Sequence, residues 1–148
     1  MKTYRRVVLL ISLVVMSAGL IAPRPAGAQS KKAVNPPGSP TNLPFSNGIL
    51  VGNTLYVAGT QGTISGDIKK ETAGALDNIG KIVEAAGFSM ADVVAVNVYL
   101  ADVKEFGAMN EVYRQYFPDP KPTRTTVGVA QLIGGARIEI SAIAVKSH

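Results

Sequence analysis

The sequence predicts one α+β domain in which two helices cover one face of a mixed β-sheet, in the order β-β-α-β-α-β-β. Runs rich in β-branched residues lie at both ends and in the middle of the domain, and two stretches between them place apolar residues at three- and four-residue steps. The chain has no internal repeat or low-complexity segment. Two helices leave the second face of the sheet uncovered, so self-association is expected.

The first 28 residues have the layout of a secretory signal peptide. A basic start precedes an apolar run over residues 7–21, and small residues fill positions 26–28. This pattern predicts cleavage after residue 28 and export, either to a periplasm or out of the cell, with no membrane association afterwards. The alternative is an uncleaved membrane anchor, for which the run is short, because a membrane-spanning helix needs about 20 apolar residues.

Composition limits the chemistry of the predicted mature chain. The first 28 residues hold four of the 15 basic residues and none of the 10 acidic ones, which leaves 11 basic and 10 acidic residues. This balance gives no case for nucleic-acid binding. The chain has no cysteine, and its one histidine is the last residue, His148, so thiolate, His-triad and His-metal chemistry are not expected. The sequence predicts no metal and no cofactor.

The amino-terminal part of the domain is predicted to be a flexible arm and two strands. Residues 29–43 are rich in proline and are interpreted as an arm that leads to the domain at residues 44–148. Residues 44–51 and 55–59 are predicted as short strands joined by a glycine turn. The glycine-rich loop at 61–66 lacks the Gly-Lys-Ser/Thr ending of a phosphate loop, so it is interpreted as a connection or a pocket wall.

A helix and a central strand follow. Apolar residues recur at helical spacing over residues 67–86, and Gly87 is a typical residue for the end of a helix. The run at 92–100 is the most strongly strand-like part of the sequence and is predicted to lie in the centre of the sheet.

The second helix is predicted over residues 103–117, beginning with a capping box formed by Asp102 and Glu105. Asn110 falls on the apolar stripe of this helix, where an apolar residue would be expected. A core amide bonded to the backbone and a polar group lining a pocket both explain it. The apolar residues of the stripe are Val103, Phe106, Tyr113 and Phe117.

Two charged residues lie in the last two predicted strands. Residues 122–129 and 136–145 are predicted to form a hairpin around a Gly-Gly turn, and apolar residues on both faces of the second strand indicate burial on both sides. Arg124 and Glu139 then need a partner, a ligand or a wet cavity. A functional site and an ion pair between neighbouring strands are the two interpretations.

Seven stretches occur in the same order as in a known family and extend over residues 43–146. They are residues 44–48 (PFSNG), 55–62 (LYVAGTQG), 75–79 (ALDNI), 82–87 (IVEAAG), 109–113 (MNEVY), 122–124 (PTR) and 138–144 (IEISAIA). Together they resemble the RidA/YjgF/UK114 family of reactive-intermediate deaminases.

The resemblance implies a chorismate-mutase-like fold, a homotrimer, and active sites in the clefts between subunits. It also implies cofactor-free hydrolysis of short 2-imino or enamine acids, of the 2-iminobutanoate and 2-iminopropanoate type, to 2-keto acids and ammonia. Arg124 matches the family arginine that grips the substrate carboxylate, and Glu139 matches the acidic residue associated with the attacking water. The substrate-binding residues implied by the resemblance are Phe45, Ala58, Gly59, Asn110 and Thr126.

Three of these positions depart from the family pattern. Many members have tyrosine, serine and cysteine where this chain has Phe45, Ala58 and Thr126. The first two changes remove hydroxyl groups and bear on substrate choice and rate, whereas the retained arginine favours the deaminating branch. The alternative functions are a non-catalytic trimer that binds small carboxylates and a chaperone-like protein of the same family.

Overall fold

Six strands form one mixed sheet, and two helices cover one of its faces. In the computed structural model, which describes residues 29–147, the strands are β1 (Lys31–Val34), β2 (Gly48–Val51), β3 (Thr54–Thr60), β4 (Val93–Leu100), β5 (Thr123–Gly128) and β6 (Ile138–Val145). The helices are α1 (Ile68–Ala85) and α2 (Phe106–Tyr113). The spatial order of the strands is β1-β2-β3-β6-β4-β5, and only the β4–β5 pair is parallel. The predicted α+β class is confirmed, whereas the predicted leader and His148 lie outside the described residues.

The arm predicted to be flexible contains a strand. Lys31–Val34 forms β1, which pairs antiparallel with β2 at the edge of the sheet. Val34 is buried, whereas both lysines of the strand are exposed, and charged side chains are a common feature of edge strands. The prediction missed β1 because four residues between proline-rich and polar segments are too few to show a periodic pattern.

The predicted carboxy-terminal hairpin is wrong. β4 lies between β5 and β6, so β5 pairs parallel with β4, and β4, α2 and β5 form a β-α-β unit. Gly134 and Gly135 do form a turn, with φ of 70° and 79°, but it leads into β6 from a loop and not from β5. The prediction that β6 is buried on both sides is also wrong, because its residues alternate between buried and half-buried.

The core lies between the sheet and α1. This helix begins at Asp67, whose side chain accepts hydrogen bonds from the N–H groups of Lys69 and Lys70, and it ends before Gly87, whose φ is 78°. The predicted helix therefore matches to within a residue at each end. Its apolar face packs against alternate residues of β3, β4 and β6. The largest fully buried apolar side chains of these elements are Leu55, Leu76, Ile79, Leu100, Ile138 and Ile140.

The second helix is shorter than predicted. A 3₁₀ turn at Val103–Glu105 precedes α2, and the predicted capping box does not form. Asp102 accepts from the N–H of Lys104 at 2.9 Å, but Glu105 instead receives the guanidinium of Arg137, with Nε to Oε1 at 2.8 Å. The tertiary ion pair competes with the local cap for the same carboxylate.

The apolar stripe of the second helix also differs from the prediction. Val103 is 60 % exposed and Phe106 is 42 % exposed, so neither belongs to the core. Met109, Tyr113 and Phe117 are the residues that α2 and the following turn bury against the sheet.

A buried carboxylate connects two loops beside α1. Glu71 is only 1 % exposed, and it accepts hydrogen bonds from the backbone N–H groups of Ser65, Gly66 and Arg137 at 2.8–2.9 Å. Burial raises the pKa of Glu71, but the three N–H donors, together with the charge of Arg137, lower it further than burial raises it. The ionised side chain thus joins the 61–66 loop to the start of β6.

We expect Glu71→Gln to lower the free energy of unfolding by about 1–3 kcal/mol at pH 7, because an amide meets the three N–H donors less well than a carboxylate. The folded-state pKa lies below the unfolded value of about 4.3, so this stabilisation is present above that pH and is lost as the pH falls through the folded-state pKa. Urea unfolding at pH 7 and pH 3 measures the difference in the free energy of unfolding between wild type and Glu71→Gln. Glu84→Gln, at an exposed position, is the control. An equal difference from wild type at both pH values would contradict the assignment.

Candidate active site

Arg124 lies on the edge strand β5, on the face that the helices cover. It pairs with Val96 of β4, which is buried in the core, and directly paired residues share a face. Nη1 of Arg124 donates to Oδ1 of Asn110 at 2.8 Å. The guanidinium carbon lies 4.5 Å from the ring centroid of Tyr113 and 5.5 Å from that of Phe106. The two rings and the amide together fix the orientation of the guanidinium.

The side chain of Asn110 is bonded to Arg124. Its side-chain oxygen accepts from Arg124, and its backbone oxygen accepts from the N–H of Arg114 and from Nε of the same residue. Asn110 and Tyr113 are three residues apart on α2, so both side chains lie over the same part of the sheet. The amide oxygen thus bonds to a side chain and not to the backbone, and the lining of a pocket by Asn110 stays a prediction.

Arg124 has no acidic partner among the described residues. The ion pairs within residues 29–147 are Lys69–Glu111, Lys70–Asp67, Lys121–Asp119 and Arg137–Glu105. A guanidinium carries five N–H donors, and the Asn110 bond uses one of them. The remaining donors suit a carboxylate, which a guanidinium binds with two parallel hydrogen bonds.

Glu139 lies on the opposite face of the sheet. It pairs with Tyr99 of β4, while its neighbours Ile138 and Ile140 point into the core. Oε2 of Glu139 accepts from Nε2 of Gln61 at 2.8 Å. The other carboxylate oxygen lies so close to Gly59 that a methyl group at Gly59 would overlap it.

A cavity at the end of β3 contains two of the predicted residues, Phe45 and Gly59, but Glu139 does not line it. Phe45, Gly59 and Gln61 line a cavity of about 360 Å³ with the proline-rich segment 36–40 and part of α1. Phe45 is 55 % exposed. Ala58 does not line this cavity and donates its N–H to the backbone oxygen of Asn47.

The predicted site residues thus form two groups on opposite faces of the sheet. The arginine half-site consists of Arg124, Asn110, Thr126, Tyr113 and Phe106. The glutamate half-site consists of Glu139, Gln61 and Gly59, and the cavity that Phe45 lines adjoins it through Gln61 and Gly59. The predicted ion-pair alternative is wrong, because β4 separates the two strands and the charged side chains project from different faces.

Three members of these half-sites were not predicted as site residues. Phe106 and Tyr113 were assigned to an apolar stripe, and only the crossover of α2 above β5 shows that their rings flank Arg124. Gln61 lies in a loop without periodicity, and the sequence carries no signal that its amide contacts Glu139.

The described part of the chain contains neither a candidate metal site nor a candidate membrane-spanning helix. No group of three or more His, Cys, Asp or Glu side chains within residues 29–147 is arranged to hold a metal ion. None of the helices in that range combines the length and the apolar character that a membrane span requires.

Comparison with known proteins gives consistent matches. The family model described as Endoribonuclease L-PSP matches residues 38–146. A RutC family protein from Pyrococcus horikoshii is 46 % identical over 110 residues, which cover 70 % of this chain and 87 % of that protein. The human 2-iminobutanoate/2-iminopropanoate deaminase is 40 % identical over 110 residues, which cover 70 % of this chain and 80 % of the human protein.

Solved structures match in fold as well. A member of the YjgF/YER057c/UK114 family from Mycobacterium tuberculosis is 32 % identical, with a TM-score of 0.72 over 79 % of this chain and all of that chain (100 %). Escherichia coli TdcF, solved with bound serine, is 32 % identical, with a TM-score of 0.70 over 78 % of this chain and 99 % of that one.

The predicted description of the chain as a secreted or periplasmic protein with a signal peptide is corrected by these comparisons. The family match begins at residue 38, after the predicted leader, and none of the relatives named above is described as an exported protein. The assignment therefore has no support among the relatives and is not carried further.

We expect Gly59→Ala to displace the Glu139 carboxylate, because the new methyl group overlaps the far end of that flexible side chain. A side-chain rotation relieves the overlap, so the free energy of unfolding should change by less than about 1 kcal/mol. A crystal structure of the variant would measure the displacement and the loss of the Gln61 hydrogen bond.

Gly62→Ala is the matched comparison for this variant. Its added methyl group would lie 2.6 Å from the backbone oxygen of Glu71, which a rotation cannot relieve, so the loss of stability should be about 1–3 kcal/mol. Equal losses in the two variants, or an unmoved Glu139 in the first, would contradict this account.

Proposed function

The chain belongs to the YjgF/RidA family that the Endoribonuclease L-PSP model describes, and from this premise we propose that it hydrolyses short 2-imino acids to 2-keto acids and ammonia. The substrates are of the 2-iminobutanoate and 2-iminopropanoate type that the names of several relatives specify. The observation that carries the proposal is Arg124, a guanidinium that is fixed by its neighbours and has no acidic partner within residues 29–147.

Arg124 binds the substrate carboxylate in this proposal. Asn110 and the two aromatic rings hold the guanidinium plane before the substrate arrives, so little side-chain freedom is lost on binding. A carboxylate gripped at two points places the adjacent C2 carbon at a defined position. Such positioning removes much of the entropic barrier to attack by water.

Glu139 assists the water. The Gln61 bond occupies Oε2, and the other carboxylate oxygen accepts a proton from the attacking water as its oxygen bonds to C2. Glu139 passes this proton to the imine nitrogen, which becomes the amine of a carbinolamine. Glu139 then transfers the proton of the C2 hydroxyl to that amine, the C2–N bond breaks, and neutral ammonia leaves as the hydroxyl oxygen becomes the keto oxygen.

Two copies of the chain must cooperate for this chemistry, because the two half-sites lie on opposite faces of one sheet. We place the arginine half-site of one copy against the glutamate half-site of a neighbour in a homotrimer. The sheet face without helices supports this arrangement, since it exposes Tyr56 and Val127. The relative solved with bound serine binds a small molecule that also carries a carboxylate.

A non-catalytic carboxylate-binding trimer is the second candidate. Phe45 lines the cavity that adjoins the glutamate half-site, and its side chain supplies no hydrogen-bond donor or acceptor there. RNA cleavage, which the description of the family model names, has less support. The only histidine is His148, and residues 29–148 hold nearly equal numbers of basic and acidic side chains.

We expect Arg124→Ala to reduce keto-acid release roughly hundredfold, because the variant loses two charge-assisted hydrogen bonds to the substrate. An amino-acid oxidase generates short 2-imino acids in the assay, and the keto acid is quantified. Arg124→Lys keeps the positive charge but lacks the paired N–H donors of a guanidinium, so its rate of keto-acid release should lie between those of wild type and Arg124→Ala.

The exposed Arg114→Ala controls for loss of positive charge near α2 and should match wild type. If the wild-type protein binds 2-keto acids but does not accelerate their formation, the deaminase proposal is wrong and the non-catalytic binding protein is favoured. An Arg124→Ala variant as active as wild type would rule out both.

We expect mixed trimers of Arg124→Ala and Glu139→Gln chains to regain activity that neither variant has alone. In a threefold ring assembled from equal amounts, about a quarter of the interfaces join an intact arginine half-site to an intact glutamate half-site. Activity after unfolding and refolding the mixture measures the recovery, and the separately refolded variants are the control. No recovery, despite mixed trimers seen by native mass spectrometry, would place both half-sites of a functional site in one chain.

A further inference from the structure

Two buried hydroxyl groups stand out beside Arg124. Among the described residues, the only buried side-chain nitrogen or oxygen atoms without a hydrogen-bond partner are Oη of Tyr113 and Oγ1 of Thr126. Thr126 lies two residues beyond Arg124 on the same face of β5, and the ring of Tyr113 lies against the guanidinium. Both orphan hydroxyls therefore belong to the arginine half-site.

Tyr113 differs in this respect from the other tyrosine at this end of the fold. Tyr116 donates its hydroxyl to Oδ1 of Asp77 at 2.9 Å. Tyr113 is 7 % exposed, and its hydroxyl is removed from water with no acceptor for its proton among the described residues. Burying a hydroxyl without a hydrogen-bond partner destabilises a protein, so such a group is uncommon unless a ligand supplies the partner.

We propose that the Tyr113 hydroxyl donates a hydrogen bond to the carboxylate of the small acid bound by Arg124, an inference that rests on the proposed function and adds a ligand-binding residue to it. Asn110 and Tyr113 project from the same side of α2 towards Arg124. The amide takes one guanidinium donor, and the guanidinium carbon lies 4.5 Å from the centre of the tyrosine ring. A carboxylate on Arg124 would give the hydroxyl the acceptor that residues 29–147 do not provide.

The protonation state of Tyr113 suits a donor. Burial raises the pKa of Tyr113, and the charge of Arg124, together with a contact of its guanidinium on the phenol oxygen, lowers it by less, so the pKa stays above that of an ordinary tyrosine. In such a contact the guanidinium is the donor, so the phenol proton stays free. The phenol therefore keeps its proton at neutral pH and has it available for an anion.

The test is Tyr113→Phe, which keeps the ring against Arg124 and removes only the hydroxyl. With 2-oxobutanoate as the probe and calorimetry as the readout, we expect binding roughly tenfold weaker or more, the effect of losing one charge-assisted hydrogen bond. The melting temperature without ligand should equal or exceed that of wild type, because the variant no longer buries an unpaired hydroxyl.

Tyr116→Phe is the matched control, and it should keep wild-type affinity while melting lower, since its hydroxyl has a partner. Wild-type affinity in Tyr113→Phe, together with lost binding in Arg124→Ala, would overturn the role of Tyr113 and leave the proposed function intact. A Tyr113→Phe variant that melts lower than wild type would assign the hydroxyl to folding and also overturn the inference. Unchanged binding in Arg124→Ala, or no binding by wild type, would overturn both proposals.

Discussion

The arrangement of this protein depends on the guanidinium of Arg124, which residues 29–147 hold in place and leave without a counter-charge. The β4–α2–β5 crossover makes this possible, because it lays α2 over an edge strand and brings Asn110 and Tyr113 against Arg124. On an edge strand one side of the residue remains open, so the cation is half-buried and not enclosed. A fully enclosed cation without a partner would cost several kcal/mol, whereas this position keeps the desolvation modest and the donors accessible.

The alternation of side chains along a strand accounts for the division of the site. Arg124 is in register with a core residue of β4, and Glu139 is in register with Tyr99 on the other face, so their side chains project in opposite directions. A one-residue shift of either strand would bring the charges to one face but would expose that strand's core residues. The hydrophobic pattern that stabilises the sheet therefore also keeps the two half-sites on opposite faces of one chain.

The sequence predicted the fold class and the long helix better than the arrangement of the strands. Asp67 and Gly87 mark the ends of α1 by local chemistry, and local chemistry is what a sequence displays. The order of β4, β5 and β6 depends on a crossover, and the Gly134–Gly135 turn resembled a hairpin turn that it is not. The sequence analysis assigned Tyr113 to the core because it falls on the apolar stripe of the second predicted helix. Its contact with Arg124 arises only in the tertiary structure, so no sequence pattern indicates it.

Hydrogen-bond satisfaction separates the structural polar groups of this fold from the functional ones. Glu71 accepts three hydrogen bonds from backbone N–H groups, and Glu105 accepts hydrogen bonds from the guanidinium of Arg137. Both carboxylates therefore have a structural role, which is to join segments of the chain. Arg124 and Tyr113 retain unused donors at one place, and both are donors of the kind that an anion needs. A fold selected only for stability would pair or remove such groups, because each weakens the free protein. Their concentration in the arginine half-site is the physical reason to regard it as a binding site for a small carboxylate.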